Sequence, residues 1–134
     1  MDVFEKQRVL IAEDEGLILI AVEQMVEDAG FIVVSVTNGD DAVRELERDD
    51  ANFSALITDI RMPGKGSGWD VARRARQISP TLPVVYMTGD SASEWAAQGV
   101  PNSTLLQKPF AEAQLVTALS LLLNQVPPTG DNTV

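Results

Sequence analysis

Asp59 closes the apolar run "ALITD" and is followed at once by the break "IRMPG", so a carboxylate stands at the end of a strand-type segment. Such an acid either caps the next turn or works as a reactive group. Other chemically capable residues share its placement: Glu13-Asp14 after "RVLIA", Thr88 after "VVYM" and Lys108 after "STLLQ". The chain contains no His and no Cys. That removes Ser-His-Asp and Cys-His nucleophiles, zinc sites built from imidazole or thiolate, and disulfides. Carboxylate, hydroxyl and amine chemistry remain. Two carboxylates about 4 Å apart repel by roughly 4 kcal/mol at a protein-surface dielectric, so three clustered acids call for a cation. An all-oxygen set suits Mg²⁺, which takes one or two carboxylates and keeps several waters.

These residues meet only if the elements carrying them lie side by side. Five short runs rich in Val, Ile, Leu or Thr, "RVLIAE", "FIVVSV", "SALITD", "PVVYMT" and "STLLQ", alternate with segments of helical period. The first helix spans Gly16 to Ala29, with Ile18, Val22, Met25 and Ala29 on one face and Gly30 as its stop. Asn38 is placed to cap a second helix carrying Ala42, Val43 and Leu46. Ser67 with Asp70 reads as a capping box ahead of Val71, Ala75 and Ile78, and Ser91 with Glu94 repeats the pattern before a shorter fourth helix. The last helix, Ala111 to Gln125, is expected to bury Leu115, Ala118, Leu119 and Leu122.

Strict strand and helix alternation with near-continuous apolar strands predicts an α/β fold, a doubly wound parallel sheet covered on both faces. In such sheets the site lies at the carboxyl ends of the strands, near the point where strand order reverses. That edge would gather Glu13, Asp14, Asp59, Thr88 and Lys108. Taken singly, each has a plainer reading: a helix cap for Glu13-Asp14, a strand residue for Thr88, a solvated charge for Lys108. Together the plain readings require five coincidences along one edge.

At 134 residues the chain suits one domain, read here as residues 1–125 with a disordered polar tail over 126–134. Twenty acidic against ten basic residues give a net charge of -10, which opposes binding to nucleic acid or to an anionic membrane face. No signal-peptide pattern opens the sequence, and no apolar run approaches the roughly 18 residues of a membrane span. A cytoplasmic address is expected.

The segments "VLIAEDE", "LITDIRMPG", "YMTGD" and "LLQKPF", in this order, resemble the response-regulator receiver domain of two-component signalling over about residues 8 to 124. The resemblance implies a flavodoxin-like sheet of strand order 2-1-3-4-5 with five helices. It also implies that Asp59 accepts a phosphoryl group from the phosphohistidine of a sensor histidine kinase or a histidine phosphotransfer protein. Asp14, Asp59 and the backbone carbonyl of Arg61 would bind Mg²⁺, with Glu13 helping through water. Thr88 would hydrogen-bond the phosphoryl oxygens, Lys108 would pair with their charge, and Gly89 would leave the mouth open. The protein would be a signalling phospho-acceptor, not an enzyme acting on an external substrate, and its covalent state would alter a face for an output protein.

Departures from the family pattern are specific. Leu105 stands where many receivers carry Tyr or Phe three residues before the Lys, so the usual aromatic switch is not expected. "PVVYMTG" partly resembles a subgroup motif of the form PFxFATG, with Tyr86 at its aromatic position; Tyr86 reads equally as a core residue. "MPGKGSGWD" is one residue longer than the common pattern. Arg61 and Asp90, each two residues after a site residue, are placed to pair across the mouth. Val116, Leu121 and Leu123 add apolar surface to the last helix, covered by a neighbouring segment or used for a homodimer through the fourth and fifth helices.

Three other readings share part of this pattern. A receiver serving as a phosphorelay intermediate, or cut from a hybrid kinase, would carry the same residues. An aspartyl-phosphate hydrolase would place an acid two residues after the nucleophile, where Arg61 stands. An FMN-binding flavodoxin would need a phosphate-cradling loop after the first strand, which is lacking.

Overall fold

The computed structural model describes residues 7–125. Strands β1 (Arg8–Ala12), β2 (Ile32–Val36), β3 (Ala55–Asp59), β4 (Val84–Thr88) and β5 (Ser103–Gln107) alternate with helices α1 (Gly16–Asp28), α2 (Gly39–Leu46), α3 (Gly68–Ile78), α4 (Trp95–Gln98) and α5 (Glu112–Gln125). A 3₁₀ turn over Ala92–Glu94 leads into α4. All strand pairs are parallel and the order is β2-β1-β3-β4-β5, so the reversal of strand order falls between β1 and β3. The register Ala12↔Thr58, Thr58↔Tyr86, Asp59↔Met87 brings the carboxyl ends of the three central strands to one level.

Strand alternation divides the core in two. Leu10, Leu56, Val84 and Tyr86 face α2 and α3 and pack with Ala42, Leu46, Trp69, Val71 and Ala75. Val9, Ile11, Ile57, Val85 and Met87 face α1 and α5 and pack with Val22, Val26, Leu115, Ala118, Leu119 and Leu122. β3 and β4 are buried along their whole length, as a sheet covered on both sides requires, whereas the edge strand β2 is only half covered.

Local signals set most of the boundaries. Asn38 accepts a hydrogen bond from the Asp41 amide at 2.7 Å and so caps α2. Ser67 and Asp70 form the expected capping box, each side chain meeting the other residue's amide. Gly30 sits at φ +99°, the left-handed conformation that ends α1. The four residues expected to be buried in α5 are the four that are buried.

Two helix readings need correction. In α1 the buried residues are Val22 and Val26; Ile18 and Met25 are half-buried and Ala29 is exposed, because the helix axis turns the Val26 side to the sheet and Ala29 already lies in its C-cap. Ser91 makes no cap with Glu94. Its amide is turned inward to the Thr88 hydroxyl at 2.7 Å and its own hydroxyl donates to Asp90 at 2.9 Å, so neither is available to the helix that follows. Tyr86 is a core residue: it is fully buried, its ring lies 4.7 Å from that of Trp69 at 58°, and its hydroxyl accepts from the Val100 amide at 3.1 Å. The tail over 126–134 lies outside the described residues.

Candidate functional site

The carboxyl edge of the sheet gathers the residues singled out from the sequence. Glu13, one residue past β1, is fully buried. Its Oε1 accepts from Lys108 Nζ at 2.8 Å and its Oε2 from the Glu15 amide at 3.1 Å, so the side chain is turned inward and held. Asp14 is exposed. Asp59 ends β3 and keeps only 7% of its surface. Its Oδ1 accepts from the Ile60 amide at 2.8 Å, and its Oδ2 lies 3.3 Å from Lys108 Nζ. Carboxylate oxygens of Glu13, Asp14 and Asp59 all fall within 4.8 Å of one another.

Lys108 reaches this cluster because it follows the last residue of β5 and its amide donates to the Thr88 carbonyl at 2.7 Å, prolonging the ladder between β4 and β5 by one residue. Thr88 is buried, and its hydroxyl oxygen accepts from the amides of Asp90 (3.1 Å) and Ser91 (2.7 Å). A Cβ added at Gly89 would meet no atom within 4 Å, so the mouth is open there. Arg61 Nε and Asp90 Oδ2 pair at 3.2 Å across the mouth, both mostly exposed, and Arg61 also reaches the Ser91 hydroxyl at 3.3 Å. Leu105 is half-buried and packs on the α2/α3 side of the core.

Electrostatics follow from this crowding. Burial, and next the charge of Glu13, push the Asp59 carboxyl up to about 6, against the opposing pull of Lys108 and the Ile60 amide. For Lys108 burial disfavours the ammonium, but its hydrogen bond to Glu13 and the charges of Asp59 and Glu13 outweigh this and hold its pKa above the usual lysine value. With the three acids ionised and one ammonium between them, the cluster carries a net charge of about -2. An all-oxygen cluster of that charge, with Asp14 outside any ion pair among the described residues, fits a hard divalent cation.

The loop from Ile60 to Ser67 is braced from two sides. A Cβ on Gly39, at the start of α2, would lie 2.7 Å from the Gly66 carbonyl oxygen, and one on Gly68 would lie 2.1 Å from that of Asp59. Only glycine permits these approaches, and through them the loop lies close against the end of β3 and the start of α2. Sequence reading missed Gly68, and with it Thr58, whose hydroxyl donates to the Asp59 carbonyl at 2.8 Å. The three spaced glycines of "GKGSG" were visible after the break, but the Gly66 contact is with Gly39 of α2, distant in sequence, and the Gly68 contact is with the Asp59 carbonyl at the strand end.

An α/β sheet with a strand-end aspartate, two further acids, a hydroxyl and a lysine on its reversal edge defines a phospho-accepting switch domain. Residues 9–120 match the model of the response regulator receiver domain, and the chain belongs to that family. It is 33% identical to the response regulator receiver protein CpdR of Brucella abortus, over 87% of this chain and 97% of that protein. Other curated relatives are longer, and the chain spans 23% to 53% of three of them. The crystal structure of a response regulator receiver protein from Sinorhizobium medicae superposes with a TM-score of 0.87 at 45% identity, covering 90% of this chain and 97% of the other. The receiver domain of the sensor histidine kinase PA1611 from Pseudomonas aeruginosa, whose structure holds a magnesium ion in the active-site cleft, superposes with a TM-score of 0.78 at 25% identity, covering 90% and 100%. The fold and the receiver function expected from the sequence are thereby established: the protein is a response regulator receiver that takes a phosphoryl group on an aspartate.

Proposed function

We propose that Asp59 is the phospho-acceptor and that Asp14, Asp59 and the Arg61 carbonyl hold Mg²⁺, with Glu13 assisting through water. The observation that carries this reading is the convergence of Glu13, Asp14, Asp59 and Lys108 on one strand edge, with Asp59 buried and its carboxylate oriented by an amide and an ammonium. A divalent cation bound there would neutralise charge on a phosphoryl group.

This chain's own residues supply the rest. The Asp59 carboxylate attacks phosphorus. Lys108, already between Glu13 and Asp59, offsets the charge brought by the phosphoryl oxygens. Thr88 uses its oxygen to accept from two amides, which leaves its hydroxyl hydrogen to donate to a phosphoryl oxygen. Forming that bond pulls on the amides of Asp90 and Ser91 and so on the segment leading to α4. Leu105 offers no ring to follow Thr88, and the segment from Gly89 to Asn102 is the element through which phosphorylation reaches the surface.

The phosphodonor is a histidine kinase or a histidine phosphotransfer protein, the reader of the phosphorylated state is an output protein, and the setting is cytoplasmic. A homodimer through the α4 and α5 face is one form that the output takes. Incubation with Mg²⁺ and acetyl phosphate, followed by intact mass, tests the assignment. Wild type gains one phosphoryl group and Asp59→Ala gains none; equal gain by both would move the acceptor elsewhere.

A further inference from the structure

Thr58 and Gly68 bracket one peptide unit. The Thr58 side chain points to the opposite face of β3 from Asp59, is fully buried, and donates its hydroxyl hydrogen to the Asp59 carbonyl oxygen at 2.8 Å. Gly68 closes over the same oxygen so tightly that a Cβ would lie 2.1 Å from it and 2.8 Å from Ile60 Cα. Its amide donates to the next carbonyl, that of Ile60, at 2.8 Å. In a trans peptide the C=O and N–H point in opposite directions. Holding the Asp59 carbonyl down on the α3 side therefore aims the Ile60 N–H up at Asp59 Oδ1, where it lies at 2.8 Å.

We infer that Thr58 and Gly68 are positioning residues for phosphoryl acceptance: they lock the Asp59–Ile60 peptide so that its amide fixes Oδ1 and leaves Oδ2, the oxygen beside Lys108, as the nucleophile. The inference rests on Asp59 being the acceptor. A carboxylate on a free χ2 torsion presents either oxygen over a broad range of angles. Tying Oδ1 to a rigid peptide removes that freedom before the donor arrives, which is how orientation lowers a barrier. With acetyl phosphate, a lone pair of Oδ2 forms the new O–P bond while the P–O bond to the acetyl group breaks, and its electron pair leaves with acetate. No proton transfer is needed. Neither Thr58 nor Gly68 touches the donor.

Thr58→Val keeps the β-branched shape and removes the donor, while Thr58→Ser restores it. Phosphorylation by acetyl phosphate in Mg²⁺ is followed over a range of donor concentrations, and the Ile60 amide is followed in ¹⁵N–¹H spectra of the unphosphorylated protein. Thr58→Val is expected to lower the maximal rate about fivefold, the equivalent of one neutral hydrogen bond, with the half-saturating donor concentration unchanged. The Ile60 proton should move upfield and exchange faster, and Thr58→Ser should return both readouts toward wild type. Gly68→Ala should displace the same resonance; because it can also unfold the chain, the conclusion rests on Thr58. A wild-type rate with an unmoved Ile60 resonance in Thr58→Val overturns the inference, as does a slowed rate that Ser does not rescue and that leaves Ile60 unmoved. If wild type accepts no phosphoryl group, the assignment of Asp59 fails, yet the Ile60 resonance still reports on the lock.

Discussion

Asp59 is held in a conflict that only a cation or a proton resolves. Its folded pKa near 6 stands above the unfolded value of 3.8. Below about 3.8 the group is protonated in both states; between the two values the folded chain alone keeps the proton; above 6 the group is ionised in both, and the fold bears its burial beside Glu13. The stability linked to this group is thus present at low pH and lost as pH rises through 6. Asp59→Asn should raise the melting temperature in chelator at pH 7.5, by roughly 3 °C or more, with the gain vanishing near pH 5. A scanning calorimetry trace with no gain at pH 7.5 would mean that Lys108 already compensates the charge. Arg61 and Asp90 act at the mouth and outside this cluster. Their exposed pair stabilises by about 0 to 1 kcal/mol, so Arg61→Ala and Asp90→Ala should leave melting nearly unchanged while altering the lifetime of the phosphoryl group through access of water. Decay rates equal to wild type in both variants would remove that role.

The segment between β4 and β5 is the element with the thinnest support. From Ser93 to Gln98 every residue is exposed, and the segment is tied to β4 at its two ends, by Thr88 to Ser91 and by the Tyr86 hydroxyl to Val100. Tyr86→Phe leaves a buried amide unpaired, which costs about 1–3 kcal/mol, and the loss falls on this segment. Hydrogen exchange should quicken at residues 95–102 and stay unchanged in α1; uniform quickening would show that Tyr86 stabilises the core alone. The same segment marks where sequence reading ended. Strands β1, β3 and β4 were legible because burial on both faces demands unbroken apolar runs, and α2 and α3 because Asn38 and Ser67 cap by local geometry. The Ser91 and Glu94 spacing matched a capping box, but hydrogen bonds to the near neighbours Thr88 and Asp90, and one from the distant Arg61, claimed the serine. Glu13, Asp14, Asp59 and Lys108 could be placed on one edge from strand ends alone. That Glu13 is the buried partner of Lys108 depends on a contact between residues 95 positions apart, and that Thr58 and Gly68 grip the Asp59 peptide depends on how the loop into α3 folds back on the strand end, which no residue pattern signals.

At the scale of the molecule, apolar surface and net charge oppose one another. Leu121 on α5 is 58% exposed, while Val116 and Leu123 beside it are half-buried, so the patch expected there is narrower than the sequence suggested. On α1, Leu17 is 86% and Ile20 62% exposed, and Leu17 borders an apolar groove of about 440 Å³ with Met25, Pro109 and Phe110. Association through the α5 face must bring together two chains of charge -10. Their repulsion is screened over about 10 Å at 0.1 M salt and about 3 Å at 1 M, so a dimer held by apolar contacts should strengthen with added salt, whereas one held by surface ion pairs should weaken. Light scattering over a concentration series with a phosphoryl mimic and Mg²⁺ is expected to show a dimer favoured by salt. Leu121→Asp should abolish it and Leu17→Asp should not. Loss with Leu17→Asp alone would transfer the interface to α1. A monomer at every concentration, with and without the mimic, would exclude the homodimer, and the α4 and α5 face would then serve a different output protein.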